Sequence, residues 1–201
     1  MKGSGIIKFV SISSIHMNGT GTIILFTVLS IPVVIVSWKS LLTIRSHGFY
    51  RFLSWECILW LGVSNYRSWF TDAFRMNQIV SWILLVLSLY VVLAGVFLLR
   101  SRGNTKQDRE DSTLLTFEKT TELVDTGIYR YIRHPLYASL FYLTWGICLK
   151  HITLSLVVVS LFSSLFIYIT ARFDEKECIA YFGDKYRNYM MRSKMFIPFL
   201  F

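Results

Sequence analysis

The chain has 201 residues, of which 54% are hydrophobic and only 16% charged, where a soluble domain carries about a quarter charged residues. This composition excludes an ordinary water-soluble globule. The net charge of +9, which on a soluble domain would point to nucleic acid, here reads as Lys and Arg flanking apolar runs. Neither the three cysteines (Cys57, Cys148, Cys178) nor the four histidines (His16, His47, His134, His151) have the spacing of a metal site or a disulfide framework. No metal and no nucleic-acid partner is expected.

In chain order, residues 1–16 lack the length and cleavage signature of a signal peptide, because Lys8 interrupts a short apolar stretch. They read as a dispensable or mis-assigned leader, with Met17 as a natural start. Five stretches then approach the roughly 20 apolar residues a bilayer crossing needs. Residues 17–38 carry no charge, and Pro32 should kink that helix. Residues 52–66 are shorter and hold Glu56, while 76–99 form the clearest span, free of charge. Residues 135–149 and 152–171 are separated only by Lys150 and His151 and should form a tight hairpin. The runs are continuous rather than alternating, which favours helices over a barrel. The expected fold is an all-α membrane bundle of about five transmembrane helices. It divides into a three-span region (17–99), a cytoplasmic loop (100–134), and a hairpin with tail (135–201).

Charge asymmetry orients the bundle. Segments 39–51, 100–135 and 172–201 hold sixteen of the 21 Lys and Arg, which places them and the C-terminus in the cytoplasm and, with five spans, the N-terminus outside. Within the loop, SRGNTKQDRED reads as solvated, and the aromatic-rich segment after it as packed on the membrane face.

Three stretches could carry chemistry. In Gly127–Tyr137 a basic, aromatic segment runs into a helix with Pro135 at its first position, where a missing N–H costs nothing. His134 then sits at the cap, beside Arg133. The free amides and dipole there suit a carboxylate or phosphate, although Arg130, Arg133 and the tyrosines also fit plain interfacial anchors. In Arg172–Cys178, Arg172 and Glu175 lie three apart on one helical face, with Asp174 and Glu177 pointing elsewhere. This is a cation-binding set or a solvated turn. In the third stretch Gly183 reads as a helix stop and Asp184 as the next cap, before a helix carrying Tyr186 and Tyr189 and an apolar end, 196–201, expected in the interface or against the bundle. Glu56 is either a functional intramembrane acid or a partner of Arg51.

The order of LVDTGIYRYIRHPLY, a membrane hairpin, ARFDEKECIAYFGDKYRNY and FIP resembles the isoprenylcysteine carboxyl methyltransferase family, with motifs shared by phospholipid N-methyltransferases. The likeness covers residues 120–198, and HGFYRFLSWEC looks like bacterial members. The resemblance implies an integral protein of a bacterial inner membrane that uses S-adenosylmethionine at the cytoplasmic face. Carried over by position, Leu123, Val124, Tyr129, His134, Pro135 and Tyr137 would touch the cofactor. Glu175 matches the second acid of the family's acidic pair and would also face it. Asp174 stands, one methylene shorter, for the first. Arg172 matches the arginine that holds the acceptor, and is counted with Glu175 as catalytic. Ser139 and Cys178 depart from the family's usual Gly and Leu.

The implied chemistry suits these residues. A helix N-terminus with His134 suits the cofactor's carboxylate, and Glu175 its ammonium. A carboxylate acceptor, on a lipidic or prenylated molecule drawn from the bilayer, needs no general base. Positioning then carries the rate. An amine acceptor would need Glu175 or Asp174 to take a proton. A nicotinamide-dependent membrane reductase is disfavoured, since Leu136-Tyr137-Ala138-Ser139 stand where sterol reductases typically show Asn-Tyr-x-Gly. A non-catalytic scaffold has no need of His134, Tyr137 and Glu175.

Overall fold

Each apolar run becomes a helix because lipid offers its peptide groups no partner, so every N–H must be satisfied within the segment. A computed structural model describes residues 19–43, 46–104 and 118–199. The leader at 1–16 and most of the solvated loop lie outside the described residues. Six helices follow in order: α1 (Gly19–Leu41), α2 (His47–Asn65), α3 (Met76–Arg102), α4 (Pro135–Cys148), α5 (Leu154–Phe182) and α6 (Asp184–Arg192). Short 3-10 turns occur at Tyr66–Ser68 and Gly127–Arg130. The protein is an all-α membrane bundle. Among the described residues three helices, α1, α3 and α5, are long and apolar enough to cross a membrane. The other two expected crossings also fold as helices, but α4 has only 14 residues, and α2 buries His47, Arg51, Ser54 and Asn65.

Helix α1 runs continuously through Pro32 and buries only Ser37 and Ser40, so its apolar surface faces outward. Ser30 donates to Glu56 Oε2 across the α1–α2 seam at 2.7 Å. Glu56 therefore does not pair with Arg51. Five residues apart, the two point to different faces of α2.

Small and hydroxylated residues bring α3 and α4 together, as is common where apolar burial gives no net drive. Ser81 donates to Gly146 O at 2.6 Å and Ser88 to Ser139 O at 2.8 Å. A Cβ on Gly146 would stand 2.9 Å from Leu85 Cδ2 and 3.3 Å from its backbone nitrogen, so no larger residue permits this approach. At the hairpin, Lys150 is buried between Trp82 and Trp69, its Nζ 3.7 and 5.7 Å from the ring centres, and donates to Gln78 Oε1 at 3.1 Å.

At the other end the chain closes on itself. Helix α5 continues past Ala171 to Phe182, and the chain turns at Gly183 into α6, where Gly183 rather than Asp184 occupies the cap. The segment after α6 lies along residues 131–134. Arg133 N donates to Lys194 O (2.8 Å), Lys194 N to Tyr131 O (3.0 Å), and Tyr142 Oη to Phe196 O (3.1 Å). Met195 and Phe196 are buried in the core with Tyr137, Tyr142 and Ile167.

Candidate active site

Pro135 opens α4 with His134 as its cap residue. The first-turn amides of an α-helix have no acceptor within it. Leu136 and Tyr137 supply them here, and both residues line a partly open cavity. Leu123, Val124, Tyr129, His134, Pro135 and Tyr137 all line this same cavity. Asp174 and Cys178 of α5, and Tyr186 and Tyr189 of α6, line it as well. The backbone bends sharply to put Tyr129 there: Gly127 sits at φ +60°, a value side-chain-bearing residues rarely adopt. Tyr189 Oη then fixes the turn by donating to Tyr129 O at 2.6 Å.

The charges form a closed cluster. His134 is buried, with Nδ1 3.3 Å from Asp174 Oδ2. Its Nε2 lies 3.6 Å from Glu175 Oε1, too far for a hydrogen bond, and has no hydrogen-bonding partner among the described residues. Burial pushes the imidazole's pKa down, but the interactions with Asp174 and Glu175 outweigh it and leave the pKa above its ordinary value. The ring stacks on Tyr137 with centres 5.5 Å apart.

Glu175, 2% exposed, does not line the cavity. It accepts from Arg133 Nε at 2.6 Å and from Arg172 Nη1 at 3.0 Å, the pairing its i, i+3 spacing predicts. Arg133 also donates to Ser193 O at 2.7 Å. Glu175 thus ties α5 to the start of α4 and to the tail. Arg172 is half exposed and likewise off the cavity wall. Asp174 is the acid of the pair that faces the cavity.

Sequence reasoning missed Glu118, which lines the cavity and is held by Arg51 of α2. It also missed His47, fully buried, with Nδ1 2.7 Å from Glu177 Oε2. The His47–Glu177 pair brings the start of α2 against the far end of α5. Tyr50 stacks on Phe173 beside them, ring centres 5.4 Å apart. Among the described residues no group of three or more His, Cys, Asp or Glu could hold a metal ion.

A membrane bundle with a polar, aromatic-walled cavity at the cap of a short helix is the setting in which the sequence comparisons fall. The chain belongs to the phospholipid methyltransferase family, whose pattern matches residues 76–185. It is similar to a methanethiol S-methyltransferase of Crocosphaera subtropica (strain ATCC 51142 / BH68), 27% identical over 132 residues, covering 62% of this chain and 49% of that protein. It is also similar to one of Pseudomonas deceptionensis, 33% identical over 73 residues, covering 36% of this chain and 27% of that one. The chain thus spans about half or less of the length of these relatives. No solved structure matches it significantly.

Proposed function

We propose that the chain transfers a methyl group from S-adenosylmethionine, bound in the cavity at the cap of α4, to an acceptor that reaches the site from the membrane. The observation that carries this reading is the convergence of one helix cap, an acid and several tyrosines on a single cavity. Its groups fit the donor. The amides of Leu136 and Tyr137, with His134 behind them, suit the α-carboxylate. Asp174, 3.3 Å from the His134 ring, suits the ammonium. Tyr129, Tyr137 and Tyr186 offer flat apolar faces for a base and ribose. When bound, S-adenosylmethionine supplies a methyl group on a positively charged sulfur, open to displacement by a nucleophile.

Glu175 acts on this site from behind its wall. With Arg133 and Arg172 bound to it, it holds His134 and Asp174 in register. Leu123 and Val124 close the cavity from the loop side. The charge asymmetry of the sequence supports an inner-membrane protein with this site and the C-terminus in the cytoplasm.

For the acceptor, the resemblance to isoprenylcysteine carboxyl methyltransferases favours a lipidic or prenylated carboxylate, with half-exposed Arg172 as the cation that meets it. Such an acceptor arrives deprotonated, and the protein need only orient it. The names of the relatives favour a second reading, a thiol acceptor. A thiol must lose its proton, and Asp174 is the α5 carboxylate on the cavity wall that stands nearest to take it.

Calorimetry on purified protein in lipid tests the donor. Micromolar binding of S-adenosylmethionine, weakened at least tenfold by both Asp174→Asn and His134→Gln in folded protein, is the expected result. No binding up to millimolar donor would sink the reading. Transfer of labelled methyl to prenylcysteine or to alkyl thiols then separates the acceptors.

A further inference from the structure

The Gly127–Arg130 turn has two sides. Tyr129 faces the cavity described above. Gly127, Ile128, Arg130 and the following Tyr131 line a separate open groove on the outer surface of α3. On α3 it is lined by Ala94, with Tyr90 one turn before it and Phe97 one turn after it on the same helical face. Tyr90 and Phe97 are 65% and 69% exposed on a helix apolar enough to cross a membrane, so this wall faces acyl chains. From Tyr90 to Leu98 the groove follows α3 for about 12 Å. At its polar end Arg130 is exposed, its guanidinium 6.0 Å from the centre of the Tyr131 ring, and it makes no ion pair among the described residues. The nearby acid Asp125 is already bound by Arg192.

An apolar trough in the bilayer that ends on one unneutralised guanidinium matches one kind of molecule. We infer that this groove holds a diacyl phospholipid with an anionic headgroup, its chain on Ala94 between Tyr90 and Phe97 and its phosphate on Arg130. Basic groups beside a membrane helix select anionic lipids in this way, and a guanidinium presents a fork matched to phosphate oxygens. This lipid is not the methyl acceptor, since the backbone of the turn stands between it and the cavity. It braces from outside the turn that carries Tyr129.

The test uses delipidated, detergent-purified full chain and native mass spectrometry, titrating dioleoyl phosphatidylglycerol against dioleoyl phosphatidylcholine. Phosphatidylglycerol offers no amine, thiol or carboxylate, so its retention cannot reflect use as a methyl acceptor. One phosphatidylglycerol should bind about fivefold more tightly than phosphatidylcholine, the weight of one basic residue at the surface. Arg130→Gln should abolish that preference and Arg130→Lys keep most of it. Ala94→Leu, a change on the exposed face, should weaken both lipids by filling the groove. Millimolar inorganic phosphate should not displace the lipid, because the chain contributes. Equal retention of the two lipids by the wild type, a preference that survives Arg130→Gln, or full displacement by phosphate would each overturn the assignment.

Discussion

Arg51 and Glu118, 67 residues apart, are joined inside the protein: Arg51 Nη1 donates to Oε1 at 3.1 Å and to Oε2 at 2.8 Å, with Arg51 buried and Glu118 largely so. Glu118 begins the segment that supplies Thr120, Leu123 and Val124 to the cavity, and Thr121 N fixes the same segment by donating to Gly103 O at 3.0 Å. Helix α2, which contributes no wall of its own, therefore holds one in place.

Breaking one side of a buried ion pair costs about 3–5 kcal/mol, because the partner's charge is left uncompensated. Arg51→Met should lower stability by about that much and weaken S-adenosylmethionine binding at least tenfold. Arg51→Met with Glu118→Met removes both charges and should recover much of the stability while binding stays weak. Denaturation and calorimetry on the three variants read both effects. Wild-type affinity in Arg51→Met would remove the segment from the site.

His134 makes stability depend on pH. Its folded value lies above the ordinary 6.5, with Asp174 and Glu175 as the cause that overcomes burial. The stabilisation it confers is complete below about 6.5 and is lost as pH rises through the raised folded value. Melting temperature of the wild type should fall over that interval. His134→Gln should flatten the curve there. A wild-type curve already flat above 6.5 would show that the imidazole is not held charged.

Gly127 should tolerate no side chain. Alanine at φ +60° costs about 1–2 kcal/mol from the backbone alone, and its Cβ would stand 2.6 Å from Leu98 Cδ1. Gly127→Ala should destabilise by about that amount or slightly more. Leu98→Ala in the same chain should relieve the contact but not the strain. Thermal unfolding of both variants separates the two contributions.

Lys150 lies at the far end from the cavity and should matter to stability only. Lys150→Met keeps the stem between Trp69 and Trp82 but leaves Gln78 Oε1 without its donor. A desolvated cation over an aromatic face is worth about 2 kcal/mol, and a loss of that order is expected with cofactor affinity unchanged. A tenfold change in affinity would show that the two ends are coupled.

The helices were legible because hydropathy reports directly on lipid contact, and all five apolar runs fold where they were read. Their ends were legible only in part: the stop at Gly183 was read, but the end of the apolar run at Ala171 is not a helix end. The change from apolar to charged at Ala171 marks where lipid contact stops, but Glu, Lys and Ala are good helix formers, so α5 continues to Phe182. The local part of the candidate site, 123–137, was visible as one motif at a helix cap. The pairs Arg51–Glu118 and His47–Glu177 were not, since residues 67 and 130 positions apart leave no periodic mark on the sequence. The acidic pair was seen and Glu175 was read as facing the cofactor, whereas Asp174 is the member that lines the cavity. Neighbours on a helix point about 100° apart, and the packing of α2 and α4 decides between them.

Helix α4 has 14 residues and its neighbour α5 has 29, lengths of about 21 and 43 Å. Antiparallel rods so unequal, joined at one end, leave the longer overhanging the shorter. Asp174, Cys178 and Phe182 sit on that overhang, and the cavity is the space beneath it. Its height is therefore a difference of two lengths, set by registry rather than by the choice of side chains. Exchanging wall residues would alter what the cavity prefers, whereas adding a turn to α4 would push its cap up into the eave and fill the room.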